Sequence, residues 1–112
     1  MAKLIGTSRT KDLVFSGRLL DATEAHSLGI VNYLAEKEDA STYALNLAET
    51  MAVNGPIAVR AAKMAIDRGQ LMDAEGALDY ERACYEGCLQ SKDRMEGLRA
   101  FAEKRKPNYT GE

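Results

Sequence analysis

One histidine, His26, and two cysteines, Cys84 and Cys88, are all that 112 residues offer toward imidazole or thiol chemistry. A structural zinc site takes about four ligands, so this count argues against one. A serine-type catalytic triad would have to use His26. That residue stands in a short amphipathic stretch with no serine in a strained turn nearby, and reads as a surface or partly packed side chain. The cysteines are four apart in a helical stretch, which puts them on one face but does not suit a disulfide. They read as buried or half-buried reduced thiols of an intracellular protein. The nine glycines never gather into a phosphate-cradling loop.

Other absences exclude whole classes. No apolar run approaches the ~20 residues that span a bilayer. The formal net charge of −2 argues against a strongly basic nucleic-acid binder. Met1-Ala2-Lys3 opens neither an apolar signal core nor an Arg/Ser-rich transit segment, and this decides little about compartment. A chain of this length can bury an independent core, and the ordinary apolar content of 46% does not point to disorder.

What is present is helix and punctuation. A segment at about 6–15 carries Leu13, Val14 and Phe15 and stops at Gly17. Asp21 caps a second short helix, with Glu24 in capping-box position and Gly29 at its end. Residues 30–34 are β-branched at the start and predict a short extended segment, at most one strand. A lone strand would find no partner within the chain. After an acidic loop at 36–39, a helix at about 41–53 places Ala44, Leu47, Ala48 and Met51 on a stripe with burial spacing. Pro56 suits the first turn of the next helix, whose Ala58, Ala61, Ala62 and Ala65 make a thin face for close approach. A long helix follows at about 72–89. A last one opens at Asp93, with Glu96 in capping-box spacing, and Pro107 closes it. The sum is mainly α, with five or six helices.

Charge is uneven. Between Lys92 and Lys106, six cationic side chains meet three acidic ones, a local +3 that leaves −5 for the rest. Such a helix end, with Phe101 beside the Met95/Leu98/Ala102 stripe, can meet a phosphorylated ligand and stack on a purine. The plainer reading is a solvated helix end complementing its own dipole. Asp73, Glu75, Asp79, Glu81 and Glu86 read as the wet side of one helix, with nothing local to raise a pKa.

Three blocks carry a family resemblance. Leu13-Val14-Phe15-Ser16-Gly17-Arg18, then Ala22-Thr23-Glu24-Ala25 and Leu28-Gly29-Ile30-Val31, resemble the crotonase pattern LxxTGRxxxAxEAxxxGLV. Asn54-Gly55-Pro56-Ile57-Ala58-Val59 with Lys63 is similar to that family's next helix junction. Ser91-Lys92-Asp93-Arg94-Met95-Glu96-Gly97, with Ala100-Phe101 and Glu103-Lys104-Arg105-Lys106-Pro107, resembles its closing TxDRxEGxxAFxEKRxPxF. The order and separations cover nearly the whole chain. Glu81 to Tyr85 and the EKRKP ending are nearest to methylglutaconyl-CoA hydratase-like members.

The resemblance implies the C-terminal helical region of an enoyl-CoA hydratase/isomerase (crotonase) fold, without its spiral sheet domain. Residues 1–34 would end the connection from that domain, and residues 39–112 would form a helical trimerisation region. Relatives bind acyl-CoA thioesters and stabilise an enolate with two backbone N–H groups, and hydratases add water using two glutamates. No position here matches those groups, so no catalytic residue carries over and the chain alone is expected to be inactive. Phe101 and Lys104 match places that reach the adenine end of coenzyme A, and Tyr85 matches one near the acyl pocket. Isomerisation, thioester hydrolysis or a non-catalytic interaction module are the alternatives. Implied too are a coenzyme A thioester as substrate with no further cofactor, a trimeric or hexameric homo-oligomer, no membrane or nucleic-acid partner, and a mitochondrial or cytoplasmic setting.

Overall fold

The computed structural model describes residues 1–35 and 39–112. They form seven helices and, among the described residues, no strand. The mainly α architecture expected from the pattern is the one adopted. The acidic loop expected at 36–39 lies, apart from Asp39, outside the described residues. The chain divides into two compact units, Met1–Asn46 and Leu47–Glu112, and the division falls within α4 (Ala40–Ala52).

In the first unit, a single turn, α1 (Ala2–Ile5), precedes α2 (Thr7–Ser16), which ends on the left-handed cap Gly17. Ile5 and Leu13 are its buried apolar side chains. At α3 (Ala22–Ser27) the Asp21 carboxylate accepts the Glu24 amide at 2.7 Å, satisfying one of the amides that a helix start leaves without a partner. The Glu24 carboxylate meanwhile takes the Arg18 guanidinium at 2.6 Å. No strand follows. Gly29 turns to φ 76, its amide donates to the His26 carbonyl, and the Ile30 amide donates back to Ala25 at 2.9 Å. That bond pair is a Schellman reversal. It engages the Ile30 amide in closing the helix, and an apolar residue after the glycine belongs to such reversals as much as to a strand.

In the second unit, Pro56 occupies the first turn of α5 (Pro56–Gly69). There the missing proline N–H costs nothing, because no partner waits for it. Asp73 caps α6 (Ala74–Leu89) by accepting the Gly76 amide at 2.8 Å. α5 and α6 pack on each other through small residues, with Ala61 buried. At their joined ends the backbones come close: a Cβ on Gly69 would touch that of Ala77 at 3.6 Å. α7 (Lys92–Ala102) opens on Ser91, whose hydroxyl accepts the Arg94 amide at 3.1 Å. The expected opening at Asp93 is therefore corrected by two residues.

Burial is sparse. Among the described residues the buried apolar side chains are Ile5, Leu13, Ala61 and Ala100. The α4 stripe expected to be buried is largely open, with Met51 53% exposed. An amphipathic stripe needs a covering surface, and the described residues do not supply one here.

Candidate functional site

The residues after α7 turn back and run along it. The reversal begins at Lys104, whose amide donates to the Phe101 carbonyl at 3.2 Å, while the Arg105 amide donates to Ala100 at 3.0 Å. Lys104 thus takes the position that glycine usually fills after a helix, and its φ is 54. A side chain in this left-handed region costs on the order of 1 kcal/mol.

Three acidic stations then receive the returning segment. Arg105 reaches Glu96 through two bonds, of 2.6 and 3.0 Å, and Glu103 through its Nε at 2.6 Å. The Asn108 amide also donates to Glu96, at 2.9 Å. Three residues nearer the start of α7, Asp93 is only 5% exposed and accepts the amides of Thr110 at 2.7 Å and Gly111 at 3.0 Å. Finally the Lys92 and Asp93 amides donate to the Glu112 carbonyl. Tyr109 lies between these stations over Gly97, where a Cβ would meet its hydroxyl oxygen at 3.1 Å. A side chain there would be tighter than usual and would push the ring aside by a few tenths of an ångström.

The electrostatics follow from the contacts. The Arg105 guanidinium, and after it the Asn108 amide, hold the Glu96 carboxyl at about 2. Glu96 and Glu103 in turn push Arg105 upward. The basic segment noted in the sequence is consequently less free than its composition suggests. Lys92 is paired with Glu112 and Arg105 with Glu96, whereas the Lys104 ammonium has no ion-pair partner among the described residues.

The sequence-predicted site residues are only partly brought together. Phe101, on the last turn of α7, is 86% exposed. Lys104 lies beyond that helix, which ends at Ala102. The two therefore do not share a helical face as their spacing of three suggests; Phe101 is on the helix and Lys104 is in the reversal itself. Tyr85 is elsewhere, 62% exposed on α6. It lines a groove of about 530 Å³ between α5 and α6, with Ala58, Ala62, Ala65 and the half-buried Cys84 and Cys88. It also borders a second hollow of about 410 Å³ with Gly55, Leu98 and Tyr109. Neither hollow includes Phe101 or Lys104. Asp93, Glu96 and Arg105 were missed as a set. Their signal was available as acidic residues placed against the basic ending, but a tail contact across 17 or 18 residues has no local signature.

Comparison with known proteins agrees along the whole length. The family model for enoyl-CoA hydratase/isomerase matches residues 1–112. An enoyl-CoA isomerase/hydratase of Mycosarcoma maydis is 44% identical over 109 residues, covering 97% of this chain and 40% of that protein. The mitochondrial methylglutaconyl-CoA hydratase of Mus musculus is 43% identical over 116 residues, covering 100% of this chain and 37% of its own. The crystal structure of an enoyl-CoA hydratase from Bacillus anthracis superposes with a TM-score of 0.95 at 45% identity, over 99% of this chain and 43% of that one. The chain spans about two fifths of the length of the curated relatives it matches.

Proposed function

Because the chain belongs to the enoyl-CoA hydratase/isomerase family, we propose that it is the C-terminal helical part of an enzyme that adds water to the 2,3-double bond of an acyl-CoA thioester. Its part in that reaction is to hold coenzyme A and to build the subunit interface. One observation carries the reading of the site: an aromatic ring stands exposed on the last turn of α7, and the ammonium that follows it, without an ion-pair partner among the described residues, belongs to a lysine that makes the backbone reversal at a cost. Strained positions concentrate where function requires them. Phe101 stacks on the adenine, and Lys104 meets a phosphate or the purine edge. Tyr85, on the α5/α6 groove, borders the acyl pocket.

Hydration is favoured by the hydratases among the relatives, including the mouse methylglutaconyl-CoA hydratase. Isomerisation is the second reading, favoured by the Mycosarcoma maydis relative, which is named for both reactions. Both draw on an enolate stabilised by backbone amides, and no residue of this chain matches a catalytic group for either. Alone, the chain is inactive. A trimeric or hexameric parent fits the exposed apolar faces, and a mitochondrial setting fits the plant and mouse relatives named as mitochondrial.

Titration calorimetry with coenzyme A and with pantetheine tests the reading. Phe101→Ala and Lys104→Ala should weaken coenzyme A binding, the former by about 1–3 kcal/mol if stacking is lost, and leave pantetheine unchanged. Equal losses on both ligands would assign these residues to packing. Incubation of the chain with crotonyl-CoA should leave the conjugated thioester absorbance constant; turnover that survives further purification would overturn the assignment of inactivity.

A further inference from the structure

The groups around the reversal at Lys104 do more than neutralise one another. Glu96 cannot itself serve an anionic ligand: its carboxylate already accepts from both Arg105 terminal nitrogens and from the Asn108 amide. Its charge would repel a phosphate. Nor is Arg105 free to serve one, since Glu96 and Glu103 share its guanidinium. The pair is therefore closed to ligands, yet it sits immediately beside the one residue of the segment held at positive φ without being glycine.

A left-handed lysine persists only where its surroundings hold it. On the helix side, the two amide bonds from Lys104 and Arg105 close α7. On the tail side, the constraint is the Arg105 side chain, which reaches back nine residues to Glu96. A bidentate guanidinium–carboxylate pair fixes orientation as well as distance, because both groups are planar. Anchoring residue 105 in this way leaves residue 104 little freedom to relax toward negative φ. The Asn108 amide on the same carboxylate extends the hold along the tail.

We propose that Glu96 and Arg105 are positioning residues, whose forked pair fixes the reversal that presents the Lys104 ammonium to the phosphorylated end of coenzyme A. The inference rests on the reading of Lys104 given above and adds what sets that residue in place. Glu96 remains ionised down to a pH of about 2, so the fork is formed throughout the neutral range.

The test is calorimetry on the 112-residue chain, with coenzyme A and pantetheine as probes. Glu96→Gln and Arg105→Lys should each weaken coenzyme A binding about three- to tenfold, the factor set by ordering one further residue on binding, and leave pantetheine unaffected. Arg105→Lys keeps the charge and loses the fork, and it is read alone if Glu96→Gln loses helicity by circular dichroism. In a Lys104→Ala background neither change should have further effect on coenzyme A, and the Lys104 amide–Hα coupling in Glu96→Gln should become averaged. Equal losses on both probes, or losses that add to that of Lys104→Ala, overturn the positioning role in favour of packing. If Lys104→Ala weakens coenzyme A binding and the fork variants do not, positioning fails while the ligand role of Lys104 stands. If wild-type chain does not bind coenzyme A, or Lys104→Ala binds it undiminished, the ligand role fails and positioning falls with it.

Discussion

The Asp93 carboxylate accepts the amide of Gly111, eighteen residues further along the chain, at 3.0 Å. The same carboxylate takes Thr110 at 2.7 Å. One buried acid near the start of α7 thus fixes the returning tail, while the cap itself is left to Ser91.

Removing that acceptor strands two amides. Asp93→Ala should destabilise the fold by about 2 kcal/mol, because a buried donor without a partner keeps its full desolvation cost. On a domain of this size that is a fall in Tm of about 8–16 °C. Asp93→Asn, which retains one acceptor oxygen, should lose about half as much. Thermal unfolding of the three proteins decides it; an Asp93→Ala variant within 2 °C of wild type, by the same principle, would show that the tail does not hold.

Acid should act through Glu96. Its folded pKa, about 2, lies below the ordinary value of 4.5, so its stabilising effect is fully present above 4.5 and is lost as pH falls toward 2. Urea midpoints of wild type and Glu96→Gln should differ most at neutral pH and converge across that window. A gap that stays constant down to pH 2 would mean the charge of Glu96 is not what stabilises the turn.

Lys104→Gly separates stability from binding. Glycine takes positive φ without penalty, so the variant should gain about 0.5–1 kcal/mol after allowing for the greater freedom of its unfolded chain. Affinity for coenzyme A should fall at the same time. A variant that melts at or below the wild-type temperature would remove the strain argument for this residue.

Exposed apolar side chains predict association. Phe15, Leu19, Met51, Leu78 and Leu98 are each more than half exposed, and open apolar patches of this kind are normally covered by a partner surface. Light scattering should report a mass above 12.2 kDa that rises with concentration. A monomer at high concentration would count against a role for these faces in assembly.

Local chemistry was readable from sequence and distant chemistry was not. Gly17, Asp21 and Pro56 act within four residues of themselves, and a cap signal needs no more than that. Asp93 and Ser91 both offer a cap oxygen, and what separates them is the tail that occupies Asp93. The spacing of Phe101 and Lys104 suggested one face, but the helix ends between them, without a glycine to announce it. Ile30 misled in the opposite way: a β-branched residue suggested a strand where it closes a reversal. The α4 stripe was legible as amphipathic, but a stripe on one helix does not specify what covers it, and among the described residues it stays largely open.

The tail contacts also bear on how this part of the chain forms. They join positions 12 to 20 apart, and loops of that size close in well under a microsecond. α7 and residues 105–112 thus need no distant partner to find each other, and they constitute a cooperative element able to form early. In native-state hydrogen exchange the amides of Asn108, Thr110 and Gly111 should consequently slow together with those of α7, opening as one unit rather than fraying from the end inward.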